Sequence, residues 1–221
     1  MTVCQDWDMA SVVRPFRGVS AEDRLAQRRA DLIHAGFDEV GTNGVVKLTM
    51  TAVCERAGLT QRYFYEQFSS REDLLVALFD TMFDEFFAQA RTAVEAEPKD
   101  LFLRARAAME VFVDYFTGDP RKARLFTEAI GNEVVAPRKA DSVRKFAEYT
   151  ADQAQIVHGT FTGRRHTRLL LAAHIIVGGQ AHAAAQWLSG GIDLPREEYI
   201  EELAHLYVAA VDAARDDADH C

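Results

Sequence analysis

Residues 59–68, LTQRYFYEQF, gather an arginine, two glutamines and four aromatic rings into ten positions. An arginine guanidinium donates two parallel hydrogen bonds to a guanine edge, and a glutamine amide pairs with adenine in the same bidentate way. Tyrosine hydroxyls donate to phosphate while their rings pack on sugar or on a thymine methyl. These side chains could therefore read a duplex if one exposed helix face carried them. Advancing about 100° per residue from Thr60, Phe64 and Phe68 point the same way and are expected in a small core. Arg62, Tyr63 and Glu66 fall farthest from that direction, with Tyr65 and Gln67 on its flanks. Arg62 is suited to guanine and Gln61 or Gln67 to adenine, whereas Glu66 either accepts from cytosine or pairs with Arg62 four residues earlier.

The elements that must position this face are short. Thr49 is placed to cap a brief helix, MTAVCERA, which Gly58 ends. Ala57-Gly58-Leu59-Thr60 then forms a tight turn, and Thr60 caps the next helix with its hydroxyl and amide end toward a phosphate. Two short helices with this spacing form a DNA-binding helix-turn-helix. Upstream, Ser20 and Asp23 form a weak capping box for a helix carrying Leu25, Leu32, Ile33 and Phe37 on one side. Gly36 and the run EVGTNGVVK predict a short connection after it. Downstream, Ser69-Ser70 with Asp73 starts a long helix to about Glu97. Five more helices are predicted, at roughly 100–117, 121–132, 137–159, 164–189 and 196–216, with Gly and Pro as punctuation. The predicted fold class is all-α.

The 221 residues carry a net charge of −9, unevenly spread. Residues 14–73 balance nine Arg/Lys against nine Asp/Glu, so the helix-turn-helix lies in the one block that is not acidic. No run approaches the eighteen apolar residues of a membrane span, and the N-terminal stretch is a poor signal peptide. Cys4, Cys54 and Cys221 share no metal-like spacing, which predicts reduced thiols and a cytoplasmic setting. Before the first helix, the basic arm with Arg14 and Arg17 either enters an adjacent minor groove or is a solvated terminus. Arg28 and Arg29 either lie near backbone phosphate or face solvent.

From about Arg24 to Leu75, through TMTAVCERAGLTQRYFYEQFSSREDLL, the chain resembles the TetR family of transcriptional regulators. The AGLT turn, the Tyr65-x-x-Phe68 pair and the basic Arg71 before Leu74-Leu75 carry the resemblance together. It implies that Thr49 and Thr51 open a positioning helix near the DNA backbone. It also implies that Tyr65 contacts phosphate, that Arg71 replaces a lysine usual at that place, and that Gln61, Arg62, Tyr63 and Gln67 read bases or line the groove. Many members have Gly followed by Ala or Thr where this chain has Arg62-Tyr63. That bulk either adds sequence reading or holds the helix farther from the groove.

The resemblance further implies an N-terminal arm (1–19), a helix-turn-helix domain (20–69) and a larger all-α domain (70–221) that binds a small ligand and forms a two-fold homodimer. Its partners would be double-stranded operator DNA, a second copy and an effector of unspecified identity. Independently, RLLLAAHIIVGGQAHAAAQWL has few charges and several small residues, so another helix is expected against it. Pairing it and the last helix with their symmetry mates gives a four-helix interface.

Candidate ligand-binding residues are Phe102, Met109, Phe112, Tyr115, Phe126, Glu128, Phe146 and Tyr149, with His174, Gln180 and His182 as polar groups in an apolar helix. An aromatic stripe at helical spacing is as well read as core. His158, His166, His174 and His182 recur every eight residues. Eight residues advance a helix about 12 Å and turn it about 80°, so no two share an ion, and pocket lining or a dimer seam fits better. No catalytic triad, zinc-binding helix motif, phosphate loop or paired carboxylates are visible, so neither enzyme activity, metal nor cofactor is expected. The competing reading is an all-α small-molecule-binding protein or enzyme with a fortuitous helix-turn-helix.

Overall fold

A computed structural model describes residues 20–215, and among them the regular structure is helical. The helices are α1 (Ala21–Asn43), α2 (Met50–Ala57), α3 (Gln61–Tyr65), α4 (Arg71–Ala96), α5 (Leu101–Gly118), α6 (Pro120–Ala129), α7 (Ala136–His158), α8 (Gly163–Leu188) and α9 (Arg196–Arg215). Arg14 and Arg17 lie outside the described residues. No described helix is long and apolar enough to cross a membrane.

Three of the four predicted N-terminal caps form, whereas the Thr60 hydroxyl makes no cap bond. Ser20 and Asp23 make a full capping box, Thr49 accepts from the Ala52 amide, and Ser70 accepts from the Asp73 amide. Gly58 closes α2 at φ 65°, a left-handed backbone that a side chain resists. Phe64 and Phe68 are buried as expected, joining Leu32, Phe37, Val53 and Leu74 beneath α3.

Three expectations need correction. α1 does not stop at Gly36 but runs on to Asn43. Gly36 is there for close approach, because a Cβ would stand 3.0 Å from the Leu78 side chain, and one at Gly41 would stand 2.5 Å from Arg121. Both glycines let α4 and α6 pack onto α1. Leu25 is exposed, since the first turns of α1 project past the core they were expected to cover. Finally, α3 is regular only to Tyr65, although the Phe68 amide still donates to the Phe64 carbonyl at 2.8 Å.

Beyond α3, α4 forms the spine. Its Phe79, Phe83, Phe86 and Phe87 interlock with Phe112, Phe126 and Phe146 from α5, α6 and α7. α9 lies along α5 and α8, and α7 packs on α8. Leu171 and Ile175 of α8 and Leu206 of α9 remain 55–62% exposed on the outer face.

Candidate nucleic-acid interface and ligand cavity

On α3, Gln61, Arg62 and Tyr65 are exposed, as is Thr60 at its N-cap, whose hydroxyl makes no cap bond. Thr51 is exposed on the first turn of α2. The Arg62 side chain is 86% exposed, with Nε 3.3 Å from Glu66. Glu66 is also 3.5 Å from the Arg28 guanidinium, which lies 3.8 Å over the Tyr63 ring. In the free protein, then, Glu66 is an ion-pair partner, and Tyr63 is a half-buried support for Arg28. Arg29 sits 4.6 Å over Phe68. Both arginines thus make cation–π contacts from α1 to the α3 segment, and Arg29 also faces solvent as expected.

Two other residues are placed differently from the expectation. The Gln67 amide nitrogen is buried without a partner, turned in from the surface where it would meet a base. Arg71 donates to the Leu48 carbonyl at 2.6 Å and the Val45 carbonyl at 2.7 Å, and pairs with Glu72 at 3.1 Å. Its guanidinium holds the turn between α1 and α2 against the start of α4, which engages three of its five N–H groups.

Among helices α4 to α9 lies a cavity of about 130 Å³. Its wall is aromatic along α4, with Phe79, Phe83, Phe86 and Phe87, and is completed by α5, α6, α7, α8 and α9. The lining runs from Phe79 to Val94 on α4 and from Lys139 to Gln153 on α7. At 1.5 Å per residue, either run gives a narrow tunnel roughly 20 Å long. At one end Arg104 donates to Gln153 at 2.7 Å, with Tyr149 and Tyr207 in the adjoining wall, while Lys139 and Ser142 line the other end. Burial pushes the Tyr149 and Tyr207 hydroxyls above their ordinary pKa, so both stay protonated.

A family model described as bacterial regulatory proteins, tetR family, matches residues 32–78, the segment spanning these α2–α3 features. The HTH-type transcriptional activator FasR of Mycolicibacterium smegmatis is 26% identical over 190 residues, 85% of each chain. Over most of its length the chain is therefore similar to TetR-family regulators. Solved structures share the fold. The fatty acid degradation regulator FadR of Bacillus halodurans superposes with a TM-score of 0.68 at 15% identity, covering 81% of this chain and 94% of that one. FadR of Bacillus subtilis, solved in complex with stearoyl-CoA, gives 0.68 at 14%, covering 82% and 98%.

Six of the expected ligand residues line the cavity: Met109, Phe112, Phe126, Phe146, Tyr149 and Gln180. Five lie elsewhere. Phe102 stacks against His205, and Tyr115 donates to the Met82 carbonyl and to Glu85. Burial and the Glu85 carboxylate raise the Tyr115 pKa, so it acts as a structural donor. His174 and His182 are exposed on the outer face of α8, away from the tunnel, because the apolar run is buried on one side only. Glu128 points to the helix-turn-helix, where one oxygen accepts the Val45 amide at 2.6 Å and the other pairs with Arg124 at 2.7 Å.

The α4 phenylalanines and Arg104 were missed. A signal existed for each: Phe79, Phe83, Phe86 and Phe87 follow helical spacing, and Arg104 interrupts the apolar face of Leu101, Ala105 and Ala108. α6 touches both the cavity and the end of α1 with the turn that follows it. Phe126, Ala129 and Ile130 wall the cavity, while Arg121 reaches Asp38 at 2.6 Å, Arg124 the Gly41 carbonyl and Glu128 the Val45 amide.

Proposed function

We propose that this chain is a ligand-responsive homodimeric repressor that releases a palindromic operator when a small molecule fills the cavity. The observation that carries the reading is the sharing of α4 and α6 between the cavity wall and the helix-turn-helix. A ligand that spreads the tunnel would move α6 and α4 together, and with them α1 and α3. Such a ligand acts only if it prefers the spacing that misfits DNA, with a coupling of about 1–3 kcal/mol. The long aromatic tunnel favours an elongated apolar ligand, in keeping with the stearoyl-CoA bound by the Bacillus subtilis relative.

Homodimerisation is supported by exposed Leu171, Ile175 and Leu206 beside Gly178 and Gly179, where an added Cβ would meet nothing within 4 Å. Apolar groups left open next to small residues fit close approach of a symmetry mate. Two recognition helices would then read half-sites about 34–36 Å apart. On each, Arg62, Gln61 and Tyr65 are the readers, with Thr49, Thr51 and Thr60 near the backbone. Gln67 and Tyr63 would have to turn outward to join them.

The test is operator affinity at fixed salt for Arg62→Ala and Tyr65→Phe on a footprinted site. Arg62→Ala is expected to relax specificity with a loss of about 1–3 kcal/mol, and Tyr65→Phe to weaken all sequences alike. Wild-type binding by both variants would reject this DNA face. Transcription from a reporter with and without the chain separates repression from activation, the role for which FasR is named.

A further inference from the structure

The Arg104 end of the tunnel contains a buried charge that its surroundings do not neutralise. Arg104 is 8% exposed and its hydrogen-bond acceptors are all neutral: the Pro98 carbonyl at 2.9 Å, the Glu97 carbonyl at 3.3 Å and the Gln153 side-chain oxygen at 2.7 Å. Among the described residues no carboxylate forms an ion pair with it. Buried guanidinium groups are ordinarily paired, because removing one from water is costly without a counter-charge. The carbonyls of Glu97 and Pro98 close the C-terminal end of α4, and the negative end of that helix offsets part of the charge. Three bonds leave two of the five guanidinium N–H groups unused.

A second observation is independent of the first. The Tyr149 hydroxyl is buried, lines the same cavity and has no hydrogen-bond partner. Leaving such a group unpaired is unfavourable, and the few that persist in native proteins call for an explanation. Tyr207, whose hydroxyl donates to the Thr150 carbonyl at 2.7 Å, closes the wall beside it. A cation with spare donors and a phenol with a spare proton at the end of an apolar tunnel share one complement, an anion with two acceptor oxygens.

Resting on the reading of the cavity as the effector site, we infer that the Arg104–Tyr149 end is a carboxylate subsite, and that the effector is a long-chain monocarboxylic acid bound head-first. One carboxylate oxygen takes the free N–H groups of Arg104 and the other accepts the Tyr149 proton. The aliphatic tail runs past Phe112, Phe146 and Phe86 toward Lys139. A tunnel of roughly 20 Å exceeds the 15 Å or so that one acyl tail spans in half a bilayer core, so tail and head fit end to end.

The test is calorimetric titration of the full-length, delipidated protein with tetradecanoate, tetradecan-1-ol and tetradecanoyl-CoA. Tetradecanoate is expected to bind at least about tenfold tighter than the alcohol, the effect of one charge-assisted hydrogen-bond pair. Tyr149→Phe should lower acid affinity several-fold and leave the alcohol unchanged. Because that hydroxyl has no partner to lose, the variant's melting temperature should hold or rise, which separates ligand loss from misfolding. Arg104→Gln should bring acid and alcohol to equal affinity, with folding checked by circular dichroism. Equal binding of acid and alcohol to the wild type, or tighter binding of the thioester than of the acid, would overturn the carboxylate subsite while leaving the cavity as an effector site. Binding of none of the three would overturn both.

Discussion

Replacing Glu128 by alanine removes the one side chain of α6 that accepts a backbone hydrogen from the turn between α1 and α2. The Val45 amide donates to it at 2.6 Å, and Val45 is 2% exposed, so no water replaces the lost acceptor without the turn opening. A hydrogen bond to a charged group is worth about 1.5–3 kcal/mol, and an orphaned buried amide costs a similar amount. The Glu128–Arg124 pair adds less than about 1 kcal/mol, since both side chains are about a third exposed. About 2 kcal/mol is the expected loss. For a chain of this length that lowers the melting temperature by roughly 4–8 °C. Glu128→Gln keeps a neutral acceptor and should lose about half as much. Thermal unfolding by circular dichroism gives the total, and hydrogen exchange at Val45 localises it. A melting temperature within about 1 °C of wild type, with unchanged Val45 exchange, would refute the idea that α6 latches the DNA-binding end. If the latch also transmits the ligand signal, the alanine variant binds operator with weakened dependence on ligand.

Other outcomes follow from the same geometry. Ile175→Glu places a charge on the 62%-exposed apolar position of α8, and should convert the expected dimer to monomer in sedimentation analysis without unfolding it. Arg71→Ala removes the bonds to the Leu48 and Val45 carbonyls, so operator affinity should fall while the salt slope stays the same. A drop in that slope of about 0.9 would instead show a lost phosphate contact. Asp119 caps α6 and binds Arg121, whose hydrogen bond is the largest influence holding its carboxyl below the usual carboxylate range. A depressed folded pKa contributes stability above the unfolded value near pH 4 and loses it as pH falls through the lower folded one. The stability difference between wild type and Asp119→Asn should therefore be about 1 kcal/mol in neutral solution and shrink below about pH 4, as measured by urea titration.

The order of helices was legible because its causes are local. Ser20, Thr49 and Ser70 cap their own helices, Gly58 permits its own left-handed turn, and Phe64 with Phe68 share a face four residues apart whatever surrounds them. The Arg62–Glu66 pair was legible for the same reason, both ends lying on one helix. Gly36 misled because glycine signals a break locally, whereas its reason here is Leu78, forty-two positions away. Glu128 was placed in the cavity because a carboxylate among aromatics on α6 resembles a pocket group; its partner is Val45, eighty-three positions earlier.

The sequence by itself determined an all-α chain with a helix-turn-helix near its start, since capping, turn chemistry and 3.6-residue periodicity act within a few residues. Only the tertiary structure decided which face of each long helix meets the tunnel. It turned His174 and His182 outward, brought the phenylalanines of α4 inward, and left Arg104 and Tyr149 together at a buried end. Those juxtapositions depend on crossings between helices far apart in sequence, where packing against a neighbour, and not periodicity, sets the direction of a side chain.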